Sequence, residues 1–383
     1  MFQRLLHQPR TLLVRRVVFQ LHLWIGLLLS LYILVIGVTG SLLVFRQELA
    51  ARGLPAEWRA LRTTTPVTAS VVVAHLNAAR ANPRIVSLTA PSQHNPLFIA
   101  TLGATPGARE RISVACDPRS GDVLGPMPPP PAWLAFVRRL HETLLIGGSG
   151  RVWNGVGGAA LLVLIATGLV NWWPGLRTWR RALQVDFRLG WRRVNFDLHR
   201  ATGFWATALL SCWALTGIYF AWPQELTRMV TSWSPVVSSR PPAVSVQPTA
   251  VASAPDLDDL VARALALDPG TTWAGLQFPY GRTAPLQVIL RRNAGDGRPY
   301  EDTVYFDPYT GAHLTTWRYG VNQSAADWFL WLQVPVHFGT SWGLALKILW
   351  AIAGLALPLL ALTGLVMYWN RTLRHAAKRW GMR

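Results

Sequence analysis

Apolar residues along this chain follow two different rhythms. Four unbroken runs, Leu23–Phe45, Val152–Trp173, Ala201–Trp222 and Ile348–Trp369, contain no charged side chain. Each is about 22 residues long, and about 20 suffice to cross roughly 30 Å of hydrocarbon. The first run is too long for a cleaved signal peptide and no small-x-small site follows it, so it reads as a retained anchor. Between the runs the rhythm changes. "VTASVVVAHLNAARA" has helical spacing, and "RIVSLTA", "PLFIATLG" and "RISVACD" alternate as strands do. Further on, "DLDDLVARALAL" predicts a helix, and "PLQVILRR" and "DTVYFDP" predict strands. Residues 238–255 form a Pro/Ser/Ala-rich linker, and "PMPPPPAW" reads as a stiff spacer.

The pattern occurs twice. Aligning His22 with His199 places Gly26 on Gly203 and Thr39-Gly40 on Thr216-Gly217. Aligning His141 with His337 places Arg151 on Lys347, Thr167-Gly168 on Thr363-Gly364 and Trp173 on Trp369. "DPRSGDVL" corresponds to "DPYTGAHL", each a tight turn opened by Asp-Pro and closed by Gly. The chain therefore reads as a tandem duplication of a unit made of a span, an outer segment and a second span.

Charge orients the spans. Residues 1–20, 174–200 and 370–383 hold 16 Lys or Arg against two acids, Asp186 and Asp197, which accounts for +14 of the net +19. The positive-inside rule makes these segments cytoplasmic, with both termini inside. The expected layout is a cytoplasmic tail (1–20), a first span (21–45) and an outer segment (46–140). A second span with the stretch before it (141–173), a cytoplasmic loop (174–198) and a third span (199–222) follow. A second outer segment (223–336), a fourth span with the stretch before it (337–369) and a cytoplasmic tail (370–383) complete it. The basic balance fits contact with anionic lipid, and no nucleic-acid module accompanies it. Cys116 and Cys212 fall in an outer segment and a span, which argues against a disulfide between them.

Four histidines are matched by the repeat: His22, His199, His141 and His337. Ionisable residues at membrane segments are functional by default. Topology pairs His22 with His199 at the inner end and His141 with His337 at the outer end. Two imidazoles facing each other at one level of a bundle can give the two axial ligands of a low-spin haem. The expectation is two haems, one per leaflet, with the four histidines on their iron. His22 and Thr39 lie about 25 Å apart along one helix. Gly26 and Gly203, one turn after their histidines, leave room for a flat macrocycle or for close helix packing. Arg151 and Lys347 are candidates for the carboxylates of the outer haem, with snorkelling as the alternative. The Thr-Gly pairs read chiefly as packing positions, and His375 is an outside candidate for the inner haem. Structural zinc fits poorly, since it wants four close ligands, usually including cysteine. The absence of CxxCH excludes covalent haem, and no GxGxxG follows a strand to bind a flavin or nicotinamide.

"LHLWIG…TG", the "DPxxG" segments and "LHxxLLxG…TGLVxW" resemble the PepSY-associated transmembrane proteins that occur with bacterial iron-uptake genes. In size and layout the chain is similar to inner-membrane ferric-siderophore reductases of the FoxB type. That resemblance implies a membrane α+β fold: a four-helix bundle with two small periplasmic PepSY-like domains folded over its outer mouth. It also implies two non-covalent b-type haems and an oxidoreductase that reduces an Fe(III)-siderophore in the periplasm to release Fe(II). A separate cytoplasmic or quinone donor would supply the electrons. The rivals are electron transfer to another periplasmic acceptor, and a haem-free regulatory or peptide-binding PepSY protein. A transporter would need polar groups at the midplane, which the spans lack.

Overall fold

The computed structural model describes residues 13–79, 83–103, 111–237, 241–244, 255–293, 299–319, 324–340 and 343–373. His7, His375 and most of the linker at 238–255 lie outside the described residues. The longer helices are α1 (Leu13–Leu43), α2 (Ala69–Ala79), α3 (Ala132–Thr143), α4 (Gly148–Trp172) and α5 (Trp191–Ala221). They continue with α6 (Leu257–Leu267), α7 (Ala325–Phe338), α8 (Gly343–Gly354) and α9 (Ala356–Tyr368). The chain divides into two units, one holding the apolar helices and the other the strands.

In the first unit α1, α4, α5 and the segment Gly343–Thr372 (which contains α8 and α9) are long and apolar enough to cross a membrane. α1 packs on α4 and α9, and α5 packs on the same two helices, which closes a four-helix ring with α1 and α5 on its diagonal. Its apolar centre contains Ile33, Leu161, Leu164, Leu210, Ala214, Leu357 and Ala361. α1 comes close to α9 at Gly37, where a Cβ would stand 2.5 Å from Pro358 and 2.8 Å from Leu357. Gly37→Leu is therefore expected to lower stability by about 1–3 kcal/mol through overpacking, read as a lower midpoint in thermal melting in detergent.

Two of the helices begin earlier than the charge-free runs suggest. α1 starts at Leu13 and α5 at Trp191, so His22 and His199 lie more than two turns inside their helices. The basic side chains in these first turns are partly used within the fold. Arg15 donates to the carbonyls of Asn171 and Trp173, capping the last turn of α4. Asp197, buried, accepts from Arg193 and Arg200.

The second unit corrects the expectation of two separate small outer domains. Its strands form one antiparallel sheet of eight, in the order β4-β3-β2-β1-β5-β6-β7-β8. The outer segments contribute β1 (Ile85–Thr89) to β4 (Val123–Pro126) and β5 (Thr271–Gln277) to β8 (His313–Trp317). They join where β1 pairs with β5, Leu88 opposite Leu276. A Cβ at Gly275 would stand 2.6 Å from the Leu88 carbonyl, so glycine there lets the two halves approach. Leu76 from α2 and Leu260 from α6 enter one core with Leu88, Phe98, Val288 and Phe306. Each Asp-Pro-x-x-Gly segment is the expected turn, with Gly121 and Gly311 at positive φ. β5 is a strand that the sequence pattern did not indicate. Cys116 and Cys212 are free.

Under this sheet Asp268 and Asp302 are almost fully buried and share Arg292, while Arg318 also reaches Asp268. Burial raises the Asp302 carboxyl, and its contact with Asp268 acts in the same direction. At Asp268 burial is outweighed by the bonds to Asp302 and Arg292, which hold that carboxyl below its usual value. The contribution of Asp268 to stability is thus present above the ordinary carboxylate range and lost as pH falls through its depressed pKa. Arg292→Gln leaves two buried carboxylates undercompensated. It is expected to cost about 3 kcal/mol, the low end for such a loss because the guanidinium is partly solvated. Urea unfolding at neutral pH checks this, and Asp302→Asn is expected to recover part of the loss.

Candidate functional site

His22 on α1 and His199 on α5 face each other across the bundle diagonal, with ring centroids 6.3 Å apart. His141 on α3 and His337 on α7 face each other at the same 6.3 Å. The structure thus brings together the two pairs that topology predicts. The outer histidines sit on short helices that precede the spans. After α3 the chain turns back through Leu144, Leu145 and Gly147, all at positive φ, and after α7 it turns through Gly339 and Gly343.

Each imidazole is held by a threonine of a Thr-Gly pair on another helix. His22 Nδ1 lies 3.1 Å from Thr167 Oγ1, and His199 Nδ1 lies 2.9 Å from Thr363 Oγ1. His141 Nδ1 lies 2.9 Å from Thr39 Oγ1, and His337 Nδ1 lies 2.7 Å from Thr216 Oγ1. So α1 and α5 each carry a histidine of the inner pair and the threonine that holds an outer histidine. Glycine completes three of these seats. A Cβ on Gly40, Gly168 or Gly364 would stand 3.0–3.4 Å from Cε1 of His141, His22 or His199.

Hydrogen-bond accounting assigns the tautomer. Each hydroxyl has a single proton, and each donates it to the carbonyl four residues earlier in its own helix. Thr39 donates to Val35 at 2.6 Å, Thr167 to Val163 at 2.7 Å, Thr216 to Cys212 at 2.8 Å and Thr363 to Leu359 at 2.6 Å. The threonine oxygen therefore accepts, and Nδ1–H of the histidine donates. At His22 the Leu164 carbonyl, 3.1 Å from the same nitrogen, demands the same assignment because it can only accept. All four rings are left with the Nε2 lone pair available, the form that binds a metal.

The spacing tests what such a pair could hold. An imidazole–metal bond is about 2.0 Å, and a ring built from bonds of about 1.33 Å places Nε2 about 1.15 Å from its centre. Two imidazoles on opposite sides of one metal ion would thus have centroids about 6.3 Å apart, which both pairs match. Among the described residues no group of three or more His, Cys, Asp or Glu could hold a metal ion. Each pair thus offers two imidazole nitrogens that could hold a metal-bearing group.

The other candidates take separate places. Gly26 faces Leu164 at 3.8 Å and Gly203 faces Leu360 at 3.7 Å, ordinary helix–helix contacts. Lys347 is buried, with its ammonium 5.6 Å from the centre of the Phe45 ring. Arg151, its partner in the alignment, is exposed on α4. Trp328, also near the outer histidines in sequence, meets Tyr300 and Tyr319 edge-on.

Four apolar helices, two of them bearing facing histidines, and an antiparallel sheet define a multi-span membrane protein with paired imidazoles in its helical unit. The chain belongs to the PepSY-associated TM region family, which matches residues 19–371. It is similar to the Uncharacterized protein PA4219 of Pseudomonas aeruginosa, 29% identical over 269 residues, which are 62% of this chain and 64% of that relative. The chain thus matches less than two thirds of that curated relative's length.

Proposed function

We propose that this chain is a di-haem reductase of the bacterial inner membrane, with both termini cytoplasmic and its sheet in the periplasm. In this reading it is a tandem duplication whose two PepSY-like halves share that sheet, and it resembles the FoxB-type ferric-siderophore reductases. The observation that carries the proposal is the pair of 6.3 Å imidazole spacings, each with Nε2 left bare by a threonine on Nδ1.

His22 and His199 would hold the inner b-type haem, and His141 and His337 the outer one. A haem bound by two imidazoles supplies a reversible one-electron iron couple. The residues do the rest. The threonines keep the rings oriented and basic, and the apolar centre around Ile33, Leu161, Leu210 and Leu357 separates the two layers and excludes water. The substrate is an Fe(III)-siderophore at the periplasmic face. Hard oxygen ligands hold Fe(III) far better than Fe(II), so one electron, delivered from a cytoplasmic or quinone donor, loosens the metal without protein acid–base chemistry.

Anaerobic mixing of the dithionite-reduced protein with ferrioxamine and an Fe(II) chelator tests this reading. Reoxidation of the protein with one chelated Fe(II) per electron is expected. Protein that stays reduced beside intact ferrioxamine contradicts the siderophore assignment.

A further inference from the structure

The outer histidines need a support that the inner ones have from their own helices. His22 and His199 lie inside α1 and α5, where the helical ladder holds the backbone around them. His141 and His337 lie in the last turns of α3 and α7, just before the chain folds back. Carbonyls in a last turn have no helical partner and take one from outside. Here the partner comes from the long apolar segment that follows. Asn154 on α4 donates through Nδ2 to the carbonyl of His141 at 2.6 Å. Trp350 on α8 donates through Nε1 to the carbonyl of Val336, the residue before His337, at 2.8 Å. The alignment that places His141 on His337 also places Asn154 on Trp350, each thirteen residues past its histidine. An amide and an indole thus make the same kind of bond from one position of the repeat.

At His141 the hold extends to a third helix. Tyr32 on α1 donates to Asn154 Oδ1 at 2.7 Å, which fixes the amide with Nδ2 toward the carbonyl. Thr39, seven residues and about 10 Å further along the same face of α1, accepts from the His141 ring. One face of α1 therefore holds His141 by both its backbone and its ring. At His337 the turn closes directly on the indole: Gly339 is at positive φ, and a Cβ there would stand 2.5 Å from the Trp350 ring.

We infer that Asn154 and Trp350 are the positioning residues of the outer pair, setting where each imidazole stands by holding the end of the short helix that carries it. The inference rests on the di-haem reading and adds to it two residues that act through the backbone and not on the ligand.

The test uses the full-length chain in detergent with Asn154→Leu, which keeps the volume and removes the amide, or Trp350→Phe, which keeps an aromatic ring and removes its N–H. Each is expected to weaken outer haem binding about tenfold, the effect of one carbonyl left without its partner. Each is also expected to shift the low-spin EPR signal of the outer centre, which follows the angle between the two imidazole planes, and to leave the inner signal in place. Two further chains, His141→Gly and His337→Gly, receive free imidazole in place of the missing side chain. A ligand with no backbone is indifferent to how the helix end is held. Asn154→Leu is therefore expected to lose its effect in the His141→Gly chain and keep it in the His337→Gly chain, and Trp350→Phe to do the reverse. Outer affinity and signal unchanged by Asn154→Leu and Trp350→Phe overturn the inference, as does an effect of equal size with tethered and free imidazole, which assigns both residues to packing. A chain with all four histidines and no low-spin signal overturns the di-haem reading itself.

Discussion

A chain carrying His337→Ala is expected to bind one haem where the unsubstituted chain binds two, and to lose the outer centre alone. In the di-haem reading His337 would hold the outer haem together with His141, and His141 by itself would not give a low-spin site. The inner pair draws on other residues, His22, His199, Thr167 and Thr363, and lies about 25 Å away along α1. Alanine favours the helix more than histidine does, so α7 is expected to persist. The low-spin bands should fall by about half, and pyridine-haemochrome content should fall in proportion. His22→Ala should give the mirror result, with the outer centre retained. Loss of both centres from either substitution would show that the two pairs are not independent sites.

The second large effect is expected from Thr39→Val combined with Thr216→Val. Both hydroxyls accept from the Nδ1–H of outer histidines, at 2.9 and 2.7 Å. Valine keeps the shape and removes the acceptor, which leaves a buried donor unsatisfied at a cost of about 1–3 kcal/mol each. Outer partners of metal-bound histidine are worth about 10- to 100-fold in affinity. The pair should therefore weaken outer haem binding by about 10² to 10⁴, toward the lower figure if the two losses overlap. The outer midpoint potential should also rise, because an imidazole without its acceptor is a poorer electron donor to iron. Serine at both positions keeps the acceptor and should restore affinity and potential. A loss that serine does not rescue would assign these threonines to packing alone.

Those threonines mark the limit of what the sequence makes legible. The four spans stand out because each run is charge-free over its whole length. The histidine pairs follow because two spans of equal orientation place their matched residues at one level. The threonines do not stand out: a Thr-Gly pair that bonds its own helix and lets a neighbour approach looks the same whether that neighbour is leucine or imidazole. Only the location of His141 and His337 on short helices, folded back by the turns at Leu144–Leu145 and Gly339, brings them to Thr39 and Thr216. The joined sheet is hidden for a related reason. The β1–β5 pairing links residues nearly two hundred positions apart, and β5, "TTWAGLQ", carries a bulge between Trp273 and Gly275 that breaks its alternation.

The central claim is that the two imidazole pairs each hold a haem. The most direct measurement is a reduced-minus-oxidised visible spectrum of the detergent-purified chain, expressed with ample haem and quantified as the pyridine haemochrome. Sharp low-spin b-type bands at about two haems per chain are the predicted result. A colourless protein whose four histidines are intact would contradict the account.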